Sequence, residues 1–279
     1  MKKSLLFVGI LTVFCLLCFS GCSFLPSANG DIIYNLLESD TYEVIGFSGE
    51  ETSITIPDTY NGKAVSSIGN NAFFEETTLA EVIMPSTLTS IGNSAFEKCS
   101  AIEGLIIPEG VTQIGEYAFR ECTKLKKLTI PDSVVFIGQG AFNTCGSLSY
   151  DKYNEDLTLK YLSKWLIGAN NNSISVVNIY EETVGIYDYA FDNCTSISRV
   201  VIPSGVKYIG TKAFENCTGM NVLSITATSE EGIISLGTDT FLGCTSLAHI
   251  YVPDETTANA YKADSSWTSF SDIISVNPI

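Results

Sequence analysis

Histidine and positive charge are scarce in this chain. There is one histidine, His249, in 279 residues. A catalytic triad needs a base held by an orienting carboxylate beside a nucleophile. His249 lies between Ala248 and Ile250 in a strand pattern, with no nucleophile motif. Lysine and arginine number 15 against 31 acids, giving a net charge of −16. Nucleic-acid binding wants basic stripes, so that class is excluded. The paired Cys-x2-Cys of zinc sites and the EF-hand spacing are missing. Gly138-x-Gly140 begins a phosphate loop that is never completed, and Gly138 belongs to a repeat. After residue 22 no run is apolar and long enough to span a bilayer as a helix. The expectation is therefore no catalytic residues, no metal and no cofactor. The acidic pairs Glu75-Glu76, Glu181-Glu182 and Glu230-Glu231 leave a thin case for a hydrolase, but they read as solvated turns.

What the chain has in quantity is one phrase: apolar-Gly, two residues, Ala-Phe, two residues, Cys. It reads Ile91-Gly92, Ala95-Phe96, Cys99, and recurs at Ile114 and Ile137 with a step of 23 residues. Looser copies start at Ile68, Ile186, Ile209 and Leu236. A fixed period in this range signals a solenoid. A second phrase follows each Cys, as in Leu125-Lys126-Lys127-Leu128-Thr129-Ile130-Pro131. Its apolar residues alternate with polar ones, which predicts a half-buried strand, and proline ends it because it cannot donate to a ladder. Each repeat thus offers two short strands and two turns, and buries its apolar side only by stacking. Stacking places Leu128 over Leu105 and Phe119 over Phe96. The glycine after Ile is expected to allow a positive φ or close backbone packing.

The cysteines follow the same beat. Cys99, Cys122, Cys145, Cys194, Cys217 and Cys244 all hold one repeat position, which predicts an inward column of free thiols acting as small apolar groups. Neighbours one strand spacing apart also lie within disulfide reach, and an exported protein meets oxidising conditions, so pairing along the column stays open. Cys15 and Cys18 lie in the N-terminal apolar run, and Cys22 has a separate role.

Lys2-Lys3 followed by the apolar residues 5–19 has the form of a secretory signal. Phe19-Ser20-Gly21-Cys22 resembles the lipobox of bacterial lipoproteins, with Phe19 in the usual Leu place. That resemblance implies cleavage before Cys22 and diacylation of it, hence durable membrane anchoring. The expected organisation is a signal at 1–21, a lipidated tether at 22–30, an N-terminal cap at 31–63, the repeat array at 64–253 and a C-terminal cap at 254–279. The step from Ile137 to Ile186 is 49 residues, so an insert sits at about 149–177. It contains Tyr150, Tyr153, Tyr161, Trp165 and Asn170-Asn171-Asn172. Strands at 157–160 and 161–167 are expected to carry the core through it; an aromatic ligand-binding protrusion is the alternative.

Leu-x-x-Leu-x-Ile-Pro-x-x-Val-x-x-Ile-Gly-x-x-Ala-Phe-x-x-Cys, as in residues 125–145, resembles the BspA-type leucine-rich repeat of bacterial surface proteins. Tyr42-Glu43-Val44 with Asn61-Gly62 at one end, and Ala260-Tyr261-Lys262 with Trp267 at the other, resemble the family's caps. The resemblance implies a mainly-β solenoid, a right-handed leucine-rich-repeat superhelix with short parallel strands. It also implies surface display and binding of protein or glycan partners. The variable outward strand positions are the candidate binding face: Glu81, Ile83, Glu103, Ile106, Lys127, Thr129, Arg199, Val201, His249 and Tyr251. The expectation is a monomeric, non-enzymatic, lipid-anchored adhesion or interaction module with a partner on a host or in the cell envelope. The alternative is a structural envelope component without a specific ligand.

Overall fold

The computed structural model describes residues 32–148, 152–153, 159–169 and 174–278. The expected signal segment, Cys22 and the tether lie outside the described residues, as do Tyr150 and the asparagines at 170–172. The chain winds as a mainly-β parallel solenoid of about ten turns. Two ladders run along it. The shorter one pairs the Ile-Gly phrases in register: Ile68 with Ile91, Ile91 with Ile114, Ile114 with Ile137. It resumes with Leu166, Ile186, Ile209 and Leu236. The longer one starts with Ser53–Thr55 beside Glu81–Ile83 and Gly104–Ile106 beside Lys127–Thr129. It continues through Val176–Asn178, Arg199–Ile202, Val222–Ile225, His249–Val252 and Ile274–Val276. In each of these strands the middle apolar residue (Val82, Leu105, Leu128, Val200, Leu223, Ile250) is buried, as a two-residue side-chain period requires.

The Ala-Phe turns form a third ladder that has no strand dihedrals. Alternate main-chain N–H groups of one turn donate to carbonyls of the next. Ser94, Phe96 and Lys98 reach Glu116, Ala118 and Arg120, each at 2.7 Å. The phenylalanines consequently stack face to face, Phe73 on Phe96 at 4.9 Å and Phe96 on Phe119 at 5.5 Å. Every such turn bends at two left-handed residues, for example Ser94 (φ 53) and Lys98 (φ 64). Thr144 holds the second position at φ 63, where a β-branched side chain is strained. Thr144→Gly is expected to raise stability by about 1 kcal/mol, read as the urea midpoint.

The repeat glycines are explained by proximity, not by φ. A Cβ on Gly115 would stand 2.5 Å from the Asn93 nitrogen and the Gly92 carbonyl carbon, and one on Gly138 would stand 2.4 Å from the Glu116 nitrogen. Each glycine rests on the main chain of the turn before it.

The insert interrupts this stacking. Leu159–Leu162 and Trp165–Ala169 form an antiparallel hairpin, with Lys152–Tyr153 on its outer edge. Tyr161 and Trp165 are each 1% exposed, so these two rings are core and do not protrude. The apolar core falls into two clusters on either side, and Leu162, Trp165 and Tyr187 pack against the first. Among the described residues, no main-chain to main-chain hydrogen bond joins residues 32–148 to residues 159–278. Side chains span the seam instead. Asp188 Oδ2 accepts from the Gly140 N–H at 3.1 Å, and its Oδ1 accepts from the Thr211 N–H at 2.8 Å. The Tyr187 hydroxyl accepts from the Phe142 N–H at 3.2 Å. Lys164 pairs with Asp132 at 2.6 Å, and the Ile130 N–H reaches Ser163 Oγ at 3.4 Å. Tyr187 stands where other repeats have glycine, and its side chain extends onto Phe142 of the preceding Ala-Phe turn.

The ends are closed differently. The hairpin of Ile32–Leu36 and Tyr42–Phe47 covers the first turn, with Phe47 against Phe73. At the other end the helix Glu255–Ala263, capped by Asp254 accepting from Thr257, buries Tyr261 beside Trp267. The Trp267 indole donates to the Ile234 carbonyl at 2.7 Å.

Candidate functional site

The ten face residues fall into two groups, because the longer ladder breaks at the seam. Glu81, Ile83, Glu103, Ile106, Lys127 and Thr129 lie on the N-terminal block and are all exposed. Arg199, Val201, His249 and Tyr251 lie on the C-terminal block. Within the first group, Ile83 and Ile106 are 52% and 74% exposed, and Ile106 is the most exposed large apolar side chain among the described residues. They lie over a groove of about 620 Å³, flanked by Glu81 on one side and Lys127 and Thr129 on the other. Gly104 opens it. Gly104 pairs with Lys127, and a Cβ placed there would meet only Lys127 atoms at 3.7 Å or beyond. Glu103 stands one residue before this strand and pairs with Lys126 at 3.0 Å. That pair holds the Glu103 carboxyl below its usual range through the Lys126 hydrogen bond and charge. Ser53 donates to Glu81 at 2.8 Å, which fixes the acid at the groove's edge.

The second group is more closed. Val201 and Tyr251 are half-buried, and Ser224 between them is buried and bonded by Arg199 at 3.2 Å. The His249 and Tyr251 rings stack at 5.4 Å with 5° between planes. Val176, exposed and paired with Arg199, belongs to this face as well. The sequence pattern hides it because the beat is broken just before it.

The six repeat cysteines are free thiols. Each thiol that follows an uninterrupted repeat donates to the phenylalanine carbonyl one turn back: Cys99 to Phe73, Cys122 to Phe96, Cys145 to Phe119, Cys217 to Phe191 and Cys244 to Phe214, at 3.0–3.1 Å. Burial pushes the Cys99 and Cys145 thiols up to about 12 and Cys194 to about 11. Thiolate is the reactive form. Iodoacetamide at pH 8 is therefore expected to leave Cys99, Cys122 and Cys145 unlabelled in the native protein and to label them fully in urea, as read by peptide mass. Native labelling at the unfolded rate would contradict the buried column.

A parallel ladder solenoid with Ala-Phe turns, a thiol column and a variable strand face defines a leucine-rich repeat protein. The profile of the BspA type leucine rich repeat region, in six copies, matches residues 47–164 and 169–274. The chain belongs to the BspA-type leucine-rich repeat family, whose members are generally bacterial surface proteins. Similar solved structures include the T. pallidum leucine-rich repeat protein TpLRR, at 22% identity over 85% of this chain and 94% of that one, with a TM-score of 0.49. A leucine-rich cell surface protein of Faecalibacterium prausnitzii A2-165 is 22% identical over 92% and 95%, with a TM-score of 0.32. The pneumococcal vaccine antigen PcpA is 16% identical over 92% and 99%, with a TM-score of 0.33. No curated protein matches. Among the described residues no helix is long and apolar enough to cross a membrane.

Proposed function

We propose that this chain is a non-enzymatic interaction module, held outside the cell by a lipid on Cys22, that engages a protein or glycan partner. The Ile83–Ile106 groove is its primary contact. The observation that carries this reading is the pair of adjacent isoleucines turned to solvent over a groove with one acid and one base at its edges. Apolar surface kept exposed beside polar residues marks a contact site. Fold membership alone does not supply a ligand.

The test uses the Cys22→Ser chain as bait against mucin, matrix proteins and cell-envelope extract. Ile106→Glu and Lys127→Glu are expected to weaken capture of the retained partner by about tenfold or more. Val135→Glu, at another exposed apolar residue, leaves it intact. Capture indifferent to Ile106→Glu rules the groove out. Failure to retain anything would favour a structural envelope component. In the native host, Cys22→Ser is expected to move the protein from the membrane to the soluble fraction.

A further inference from the structure

The turn ladder has a direction. Each turn donates N–H groups to its C-terminal neighbour and offers carbonyls to its N-terminal one. Lys212, Phe214 and Asn216 donate to Thr238, Thr240 and Leu242 at 3.0, 2.9 and 2.7 Å. Among the described residues, no Ala-Phe turn stacks on the C-terminal side of the turn at 237–243. Its equivalent donors are the N–H groups of Asp239, Phe241 and Gly243, and no acceptor among the described residues meets them. Main-chain donors that line an open pocket are met by water until a ligand with acceptors displaces it. A pocket of about 470 Å³ lies between this turn and the C-terminal cap, walled by Ser266, Ser269 and Phe270.

The seam shows what such donors take. Gly140 and Phe142 hold the same two positions in a turn whose donors at these positions meet no main-chain carbonyl among the described residues, and oxygen atoms of Asp188 and Tyr187 accept from them. Everywhere else the acceptors are main-chain carbonyls at alternate residues. Charge selects between these chemistries at the C-terminal end. Asp239 is exposed on the pocket's lining and the chain carries −16 overall, which disfavours a small anion. A polypeptide brings neutral carbonyls, and a basic side chain over Asp239 adds attraction. Adding a main-chain segment to an unpaired edge is an established recognition mode.

We propose that the pocket between the last repeat turn and the C-terminal cap binds a main-chain segment of a partner polypeptide, with its carbonyls on the Asp239, Phe241 and Gly243 N–H groups and a basic side chain over Asp239. This site lies on the C-terminal block and does not depend on the Ile83–Ile106 groove.

Amide exchange on the full-length, nitrogen-15-labelled chain tests it. The probe is a capped octapeptide with the sequence of residues 209–216, Ile-Gly-Thr-Lys-Ala-Phe-Glu-Asn, whose lysine would stack over Asp239 as the next turn's would. In the free protein, the Asp239, Phe241 and Gly243 amides are expected to exchange about 100-fold or more faster than those of Lys212, Phe214 and Asn216. Millimolar peptide is expected to slow those three and to shift their resonances. A peptide with glutamate in place of its lysine binds about tenfold more weakly, and high salt narrows the gap. Ser269→Trp fills the pocket and abolishes the protection, while the amides of Lys212 and Phe214 stay protected and report an intact fold. Three amides already protected in the free protein, or unmoved by saturating peptide, would overturn the proposal. Equal protection by acetate alone would overturn the polypeptide assignment in favour of a small carboxylate.

Discussion

Asp188→Asn is expected to split the unfolding of this chain into two transitions, one for each block. Within a block, adjacent turns are joined by main-chain hydrogen bonds in the shorter ladder and in the turns, and in the longer ladder everywhere except between Glu81–Ile83 and Gly104–Ile106. Among the described residues, the hydrogen bonds that cross the seam at Asp188, Tyr187, Ser163 and Lys164 each have a side chain on at least one side. Asp188, 4% exposed, is the group that also reaches forward into the next repeat, at Thr211. Asparagine keeps the shape but offers one oxygen and one NH2. Its NH2 then faces either the Gly140 or the Thr211 N–H, donor against donor. An unmet buried donor costs about 1–3 kcal/mol. In a solenoid, stability is a sum of repeat and interface terms, so weakening one interface uncouples its two sides. Exchange of amides at 94–121 and at 189–216, followed through a urea series, distinguishes the blocks. A single transition at the original midpoint would sink the seam reading.

The same residue gives a pH signature. Burial lifts the Asp188 carboxyl from 3.8 to about 6, against the opposing pull of the Thr211 and Gly140 hydrogen bonds; the Glu116 charge adds to the rise. The folded value lies above the unfolded one, so protonation favours the fold. This contribution is fully present below about pH 4 and lost as pH rises through 6, and it amounts to about 3 kcal/mol in all. The stability difference between the original chain and Asp188→Asn is therefore expected to widen on acidification from pH 7 to pH 4. A difference that stays flat across that window would show that the carboxyl titrates normally.

Gly115→Val is expected to be more damaging still. The new side chain would meet the Asn93 nitrogen and the Gly92 carbonyl carbon, both main-chain atoms in a turn held by three ladder bonds. Neither atom can step aside without breaking that ladder, so the loss is expected to exceed about 4 kcal/mol. The N-terminal block should then become sensitive to protease at temperatures where the original chain resists. Gly146→Ala is the matched control. A Cβ there meets nothing within 4 Å, and the change is expected to stay within about 0.5 kcal/mol. If the two variants unfolded alike, close approach would not be what the repeat glycine provides.

Much of this architecture is legible in the sequence, for a physical reason. Alternation along Leu128 and Ile130 fixes which residues point inward, and a constant step of 23 residues fixes which ones stack, so the Phe and Cys columns follow without further information. Three things do not follow. The repeat glycine is equally consistent with a positive φ, and only the contact with the preceding turn decides. Gly104 looks like a spacer beside Glu103, whereas it holds the strand position paired with Lys127 and thereby opens the groove. Tyr187 reads as a worn copy of the motif. In the structure its hydroxyl and the neighbouring Asp188 carboxylate replace the carbonyls that the insert has removed. Pattern reports the average repeat, and these three residues matter because their surroundings depart from it.

The seam also governs how the molecule responds to tension. A chain pulled by its two ends carries the load along the solenoid axis, through each interface in series. Inside either block, neighbouring turns part only when several aligned main-chain bonds fail together. At the seam, among the described residues, side-chain hydrogen bonds around Asp188 and the apolar packing of Leu162, Trp165 and Tyr187 carry the same force. Extension therefore begins there, and the two halves separate as intact rods before either unravels.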